Sequence, residues 1–150
     1  MREAIALSIE KMEAGEGGPF GAVIVKDGQI VGRGWNRVTS ANDPTAHAEV
    51  SAIRDACEKL KTFDLSGCEI YASCEPCPMC LAAIYWARLD KLWFAATRAD
   101  AADAGFDDEF LYQETSKDWK NRMLPAEQTL DNEAREAFQR WKTKSDRTTY

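Results

Sequence analysis

The chain has 150 residues, 45 % of them apolar, with a net charge of −6 at pH 7 and an isoelectric point near 4.9. That length suits one domain with one core, and no apolar run reaches the roughly 18 residues that a membrane helix needs. An acidic chain is also a poor match for nucleic acid, which is gripped chiefly through its phosphates, so the balance favours a small uncharged substrate.

Residues 2–13 place Ile5, Ile9 and Met12 on one helical face. Gly15, Gly17, Gly18 and Pro19 then end that helix. Two β-branched runs, 22–25 and 30–31, flank Asp27-Gly28, a hairpin signal because glycine supplies the positive φ of the turn. A loop over 35–43 leads to a helix over 46–60, with Asp43 as N-cap and Pro44 at its first position. Residues 69–73 read as a third strand. Pro76 and Pro78 bracket the start of a helix that runs to Arg88, and 91–96 form a fourth strand. Strands alternating with helices imply an α/β sheet with helices on its faces. Residues 97–130 show no firm periodicity. Leu130, Ala134, Ala137, Phe138 and Trp141 line one face of a last helix, and the polar tail 142–150 reads as disordered on composition alone.

The chain holds five cysteines, Cys57, Cys68, Cys74, Cys77 and Cys80, and a single histidine, His47. An odd cysteine count without the apolar stretch of a secretion signal is poor support for disulfides, and the expected location is the cytosol. Two segments carry chemistry: Thr45-Ala46-His47-Ala48-Glu49 and Pro76-Cys77-Pro78-Met79-Cys80. Cys77 and Cys80, three apart, are neighbours on one helix face. With His47 they offer one nitrogen and two sulfurs, a set that leaves one position of tetrahedral zinc open, as in catalytic sites. Both segments open helices, whose partial positive charge favours an ionised Cys77. Glu49 lies about 200° around the helix from His47. The two therefore divide the work, one binding metal and the other moving protons. Cys74 is the nearest candidate for a fourth ligand and would make the site a closed, structural one. A redox Cys-x-x-Cys pair is the other alternative.

His47-Ala48-Glu49 and Pro76-Cys77-Pro78-Met79-Cys80 reproduce the His-x-Glu and Pro-Cys-x-x-Cys pattern of zinc deaminases, in which the Glu is general acid/base and not a ligand. The chain resembles the cytidine-deaminase-like zinc deaminases and, over nearly its whole length, the small bacterial guanine deaminases among them. The resembling stretches are 17–28, 42–50, 73–80 with 83–88, and 100–108. The zinc motifs are specific to the superfamily only, whereas Phe106-Asp107-Asp108 and the terminal tyrosine point to guanine.

That resemblance implies a three-layer α/β/α sandwich around a mixed five-stranded sheet, one Zn2+ per chain, and hydrolysis of guanine to xanthine and ammonia. His47, Cys77 and Cys80 would bind the zinc, and Glu49 would shuttle the proton. Asn36 would hydrogen-bond the purine. Asp108 would accept from the guanine amino edge and help move a proton to the leaving ammonia, while Phe20 and Trp86 would pack against the ring. The family's C-terminal segment crosses a homodimer, so residues 142–150 would swap and Tyr150 would close the partner's site. Residues 113–135 match loosely. A tRNA adenosine deaminase shares the zinc motifs, but the acidic balance and residues 106–108 weigh against it. A deaminase of cytosine or another aminated heterocycle is excluded only weakly.

Overall fold

The computed structural model describes residues 1–149. In chain order the elements are α1 (Arg2–Glu13), β1 (Gly21–Lys26), β2 (Gln29–Trp35), α2 (Val38–Ala41), α3 (Ala48–Leu60), β3 (Cys68–Cys74), α4 (Pro78–Trp86), β4 (Lys91–Ala96), α5 (Arg98–Asp103), α6 (Glu109–Ser116), a 3-10 turn (Trp119–Asn121) and α7 (Asp131–Thr143). The described residues form two compact units, Met1–Tyr112 and the chain from Gln113 on.

In the first unit the sheet order is β2-β1-β3-β4. β1 runs antiparallel to both β2 and β3, and β3 runs parallel to β4 across α4, so the sheet is mixed. Among the described residues it has four strands rather than five. The chain turns out of the sheet directly after β4. There Thr97 and Asp100 form a reciprocal cap, the Asp100 carboxylate accepting from Thr97 N–H at 2.7 Å and Thr97 Oγ1 accepting from Asp100 N–H at 3.3 Å. That capping box commits the next residues to α5.

Side chains of β1 alternate between the two faces. Val23 packs with Ala4 and Leu7 of α1, whereas Ala22 and Ile24 join Ala48, Ala52 and Ala56 of α3 and Ile84 of α4. α3 lies on β2 with almost no space between the backbones. A Cβ on Gly34 would sit 2.2 Å from the Ala48 carbonyl oxygen. Glycine there sets the depth of the N-terminal end of α3, and with it the height of His47 and Glu49 above the sheet.

Asp43 and Pro44 do not open α3. The Asp43 carboxylate accepts from Thr45 N–H at 2.8 Å and Thr45 Oγ1 at 2.6 Å, capping a turn. Arg37 N–H donates to the Ala46 carbonyl at 2.9 Å, anchoring that turn to the exit of β2. Asp43 is thereby spent on a local Asx-turn, and the helix begins at Ala48. The stretch 97–130 hides α5, α6 and the 3-10 turn, each too short to display a 3.6-residue period. In the second unit α7 runs to Thr143, taking two residues of the polar tail. It carries ion pairs at i,i+4 spacing, Asp131 with Arg135 and Glu136 with Arg140.

Candidate active site

His47 and Cys77 each occupy the residue just before a helix, α3 and α4 respectively, with extended backbones (φ −71°, ψ 160° and φ −65°, ψ 167°). A side chain at that position ordinarily bonds back to the first turn. Neither does so here, and both are delivered to the same place, where Cys80 arrives from the first turn of α4. His47 Nδ1 lies 3.6 Å from Cys77 Sγ and 3.4 Å from Cys80 Sγ. All three ligand atoms fall within 4.8 Å of one another. Tetrahedral zinc, with Zn–S about 2.3 Å and Zn–N about 2.0 Å, holds nitrogen and sulfur ligands about 3.6 Å apart, so these residues fit the ion.

The electrostatics agree with that fit. Hydrogen bonds from the Cys80 thiol and from His47 pull the Cys77 thiol down to about 4, against the opposing effect of burial. Cys80 moves the opposite way, because it is the donor to Cys77 and is also buried. Cys77 is therefore the more readily ionised of the two thiols, and a bound cation would supply the drive to ionise Cys80. Cys74 stands apart from this group. Its Sγ is 3.5 Å from the Thr97 carbonyl, and burial pushes its thiol up to about 11. Among the described residues the ligand group is His47, Cys77 and Cys80.

Glu49, the second residue of α3, is 8 % exposed. The angular separation from His47 expected within one helix does not apply, because His47 precedes the helix in an extended conformation. Both line one cavity of about 530 Å³. Burial pushes the Glu49 carboxyl above its ordinary range.

Phe20, Asn36, Phe106 and Asp108 line the same cavity. Phe20 and Phe106 meet edge to face, with centroids 5.0 Å apart and planes at 87°. Asn36 is buried, and its Oδ1 accepts from Gly18 N–H at 3.2 Å and Val38 N–H at 3.3 Å. With Oδ1 engaged, the NH2 is the group Asn36 has left to offer. The loop fits around it because residue 17 is glycine; a Cβ there would lie 2.1 Å from the Asn36 carbonyl oxygen. Asp108 precedes α6, and burial, followed by the nearby Cys77, raises its carboxyl.

Trp86 is not at this cavity. It is 67 % exposed at the last position of α4 and borders a separate recess with Ala82, Tyr85 and Arg88. α4 turns Cys80 inward, and six residues further on the helix has rotated about 240°. Tyr150 lies outside the described residues. Arg98 and Glu75 also line the cavity and escaped the sequence reading. They follow β4 and β3, and the parallel register that pairs Cys74 with Ala96 brings them side by side. No local pattern encodes that meeting.

Residues 1–96 match the zinc-binding region of cytidine and deoxycytidylate deaminases. Over all 150 residues the chain is 51 % identical to guanine deaminase of Bacillus subtilis (strain 168), spanning 96 % of that protein. An X-ray structure of guanine deaminase from Bacillus subtilis superposes with a TM-score of 0.96 at 52 % identity, over 99 % of this chain and 95 % of that one. A guanine deaminase from Nitrosomonas europaea gives a TM-score of 0.68 at 35 % identity, over 72 % of this chain and 63 % of that one. A tRNA-specific adenosine deaminase of Aquifex aeolicus (strain VF5) is 49 % identical over 78 residues, 52 % of each chain.

Proposed function

The chain belongs to the cytidine and deoxycytidylate deaminase family, and from that premise we propose that it hydrolyses guanine to xanthine and ammonia with one zinc ion per chain. The observation that carries this reading is a buried carboxylate, Glu49, in one cavity with a nitrogen-and-two-sulfur ligand set and a second carboxylate, Asp108. His47, Cys77 and Cys80 would hold the zinc ion, which when bound would supply Lewis acidity and lower the pKa of a water molecule. Glu49 would carry the proton, taking it from the attacking water and delivering it to the ring nitrogen beside carbon 2. A carboxyl pushed upward by burial is suited to both halves of that transfer. Asp108 accepts from the adjacent N–H donors of guanine and helps move a proton to the departing ammonia. Asn36 donates its NH2 to an acceptor on the purine. Phe20, with Phe106 beside it, supplies the apolar wall that keeps competing water away.

Guanine is expected to release ammonia fastest in a panel with guanosine, adenine, cytosine, cytidine and tRNA. Asp108→Ala should lower kcat/KM for guanine by about 10²-fold, the scale of a lost charged hydrogen bond, and leave weak alternative substrates nearly unaffected. An equal loss across the panel would make Asp108 structural.

The reading extends to the assembly. We place a homodimer in the cytosol, with residues 142–150 of each chain closing the partner's site. The free cysteines suit a reducing compartment. In the first unit Tyr85, Trp86, Trp93 and Phe94 are exposed, and β4 is an open edge. In the second, Leu130, Phe138 and Trp141 are exposed along α7. Solvent-facing apolar patches and unpaired edges of this kind mark contact surfaces. Deleting the last five residues should cripple turnover. Co-expression of that deletion with Glu49→Gln should restore activity, since mixed dimers unite one intact centre with one intact tail. Wild-type turnover by the deletion alone would refute the closure.

A further inference from the structure

Arg98 and Tyr112 have no part in the chemistry above, yet they join the segments that carry it. Arg98 opens α5 and lines the cavity. Its guanidinium lies 4.7 Å from the Tyr112 ring centroid, and its Nη1 is 3.3 Å from Glu109 Oε2, both partners being on α6. Its backbone N–H donates to the Glu75 carboxylate at 3.1 Å. Tyr112 Oη in turn donates to the carbonyl of Pro76, the residue before Cys77, at 3.0 Å. One cation and one phenol therefore tie the exit of β4, the first turn of α6 and the metal-binding loop to one another. Asp108 is attached to that first turn, its carbonyl accepting from Leu111 N–H at 2.9 Å. Of the charged groups that act on Asp108, Arg98 on α5 is the cation, set against Cys77 on the metal loop and neighbouring Asp107.

We propose that Arg98 and Tyr112 brace α6 against the Pro76-Cys77 loop and so fix Asp108 relative to the metal ligands. Both are positioning residues, and the inference rests on the deamination proposed above. The physical reason is that an acceptor must be held to within fractions of an ångström to favour a transition state, and a side chain at the end of a two-turn helix is not held so by its own helix. A planar guanidinium suits the task, since it can stack on the phenol face while bonding Glu109 in its plane.

The test uses full-length, zinc-loaded Tyr112→Phe, Arg98→Met and Arg98→Lys, each alone and in an Asp108→Asn background. Alone, Tyr112→Phe and Arg98→Met should each lower kcat/KM for guanine about tenfold with zinc content unchanged, and Arg98→Lys should recover part of that loss. In the Asp108→Asn background the same substitutions should cost less than about twofold, because nothing remains to be positioned. Equal factors in both backgrounds, or no effect in either, would overturn the brace. Hydrogen exchange separates the brace from the assigned reaction. Amides of residues 109–112 should exchange about tenfold faster in Tyr112→Phe, whatever the substrate proves to be. Unchanged exchange would overturn the brace; failure of the wild-type protein to deaminate guanine would overturn only the reaction.

Discussion

His47→Ala and Cys77→Ala are each expected to remove zinc and turnover together. Each leaves two ligands of the three. His47 Nδ1 spans the two sulfurs at 3.6 Å and 3.4 Å, so it is the one nitrogen that completes the set. Cys77 is the thiol whose ionised form its neighbours favour. Cys74→Ser is the control. Its thiol faces the Thr97 carbonyl and stays neutral, so the variant should keep about one zinc per chain. Metal analysis with ammonia release on the same preparations checks all three. Stoichiometric zinc in both alanine variants would refute the ligand set, and loss of zinc from Cys74→Ser would make the site a closed one.

Glu49→Gln should keep its zinc and lose about 10²–10⁴-fold in kcat, the range general acid/base catalysis supplies. The amide matches the carboxylate in shape but cannot carry the proton. The same substitution has an opposite effect on stability. Burial raises the Glu49 carboxyl in the folded chain above the ordinary carboxylate range. Below the unfolded pKa both states are protonated and nothing is lost; as pH rises through the folded pKa, the folded state comes to hold a desolvated charge. Zinc-free Glu49→Gln should therefore unfold at an equal or higher temperature than zinc-free wild type at neutral pH, and the difference should vanish in acid. Activity within about tenfold of wild type would remove Glu49 from the acid/base role.

Such separation of stability from activity is common where a fold holds a group in an unfavourable environment for the sake of chemistry. Gly34 shows how the fold enforces it here. α3 is pressed onto β2 at Ala48 and Ala52, and Glu49, the second residue of that helix, is 8 % exposed. A larger residue at Gly34 would lift the helix and with it both Glu49 and His47.

Spacing along the chain was enough to single out the candidate ligands, which lie within 4.8 Å of one another, and Glu49, which shares their cavity. Cys77 stands just before the helix whose first turn holds Cys80, and proline beside Cys77 marks where that helix starts. The hairpin at Asp27-Gly28 and the strands around β3 and β4 were legible for the same reason, since alternation and turn chemistry are properties of a few adjacent residues. What surrounds the ligands depended on tertiary structure. The parallel register of β3 with β4 brings Glu75 beside Arg98, and Phe106 reaches Phe20 across 86 positions of sequence. The capping box at Thr97 starts α5 directly after β4, and the described residues form a sheet of four strands. The rotation of α4 carries Trp86 away from the cavity whose ligand it shares a helix with. Local periodicity sets which residues can stand together on one element; only the packing of elements decides which of them face the same empty space.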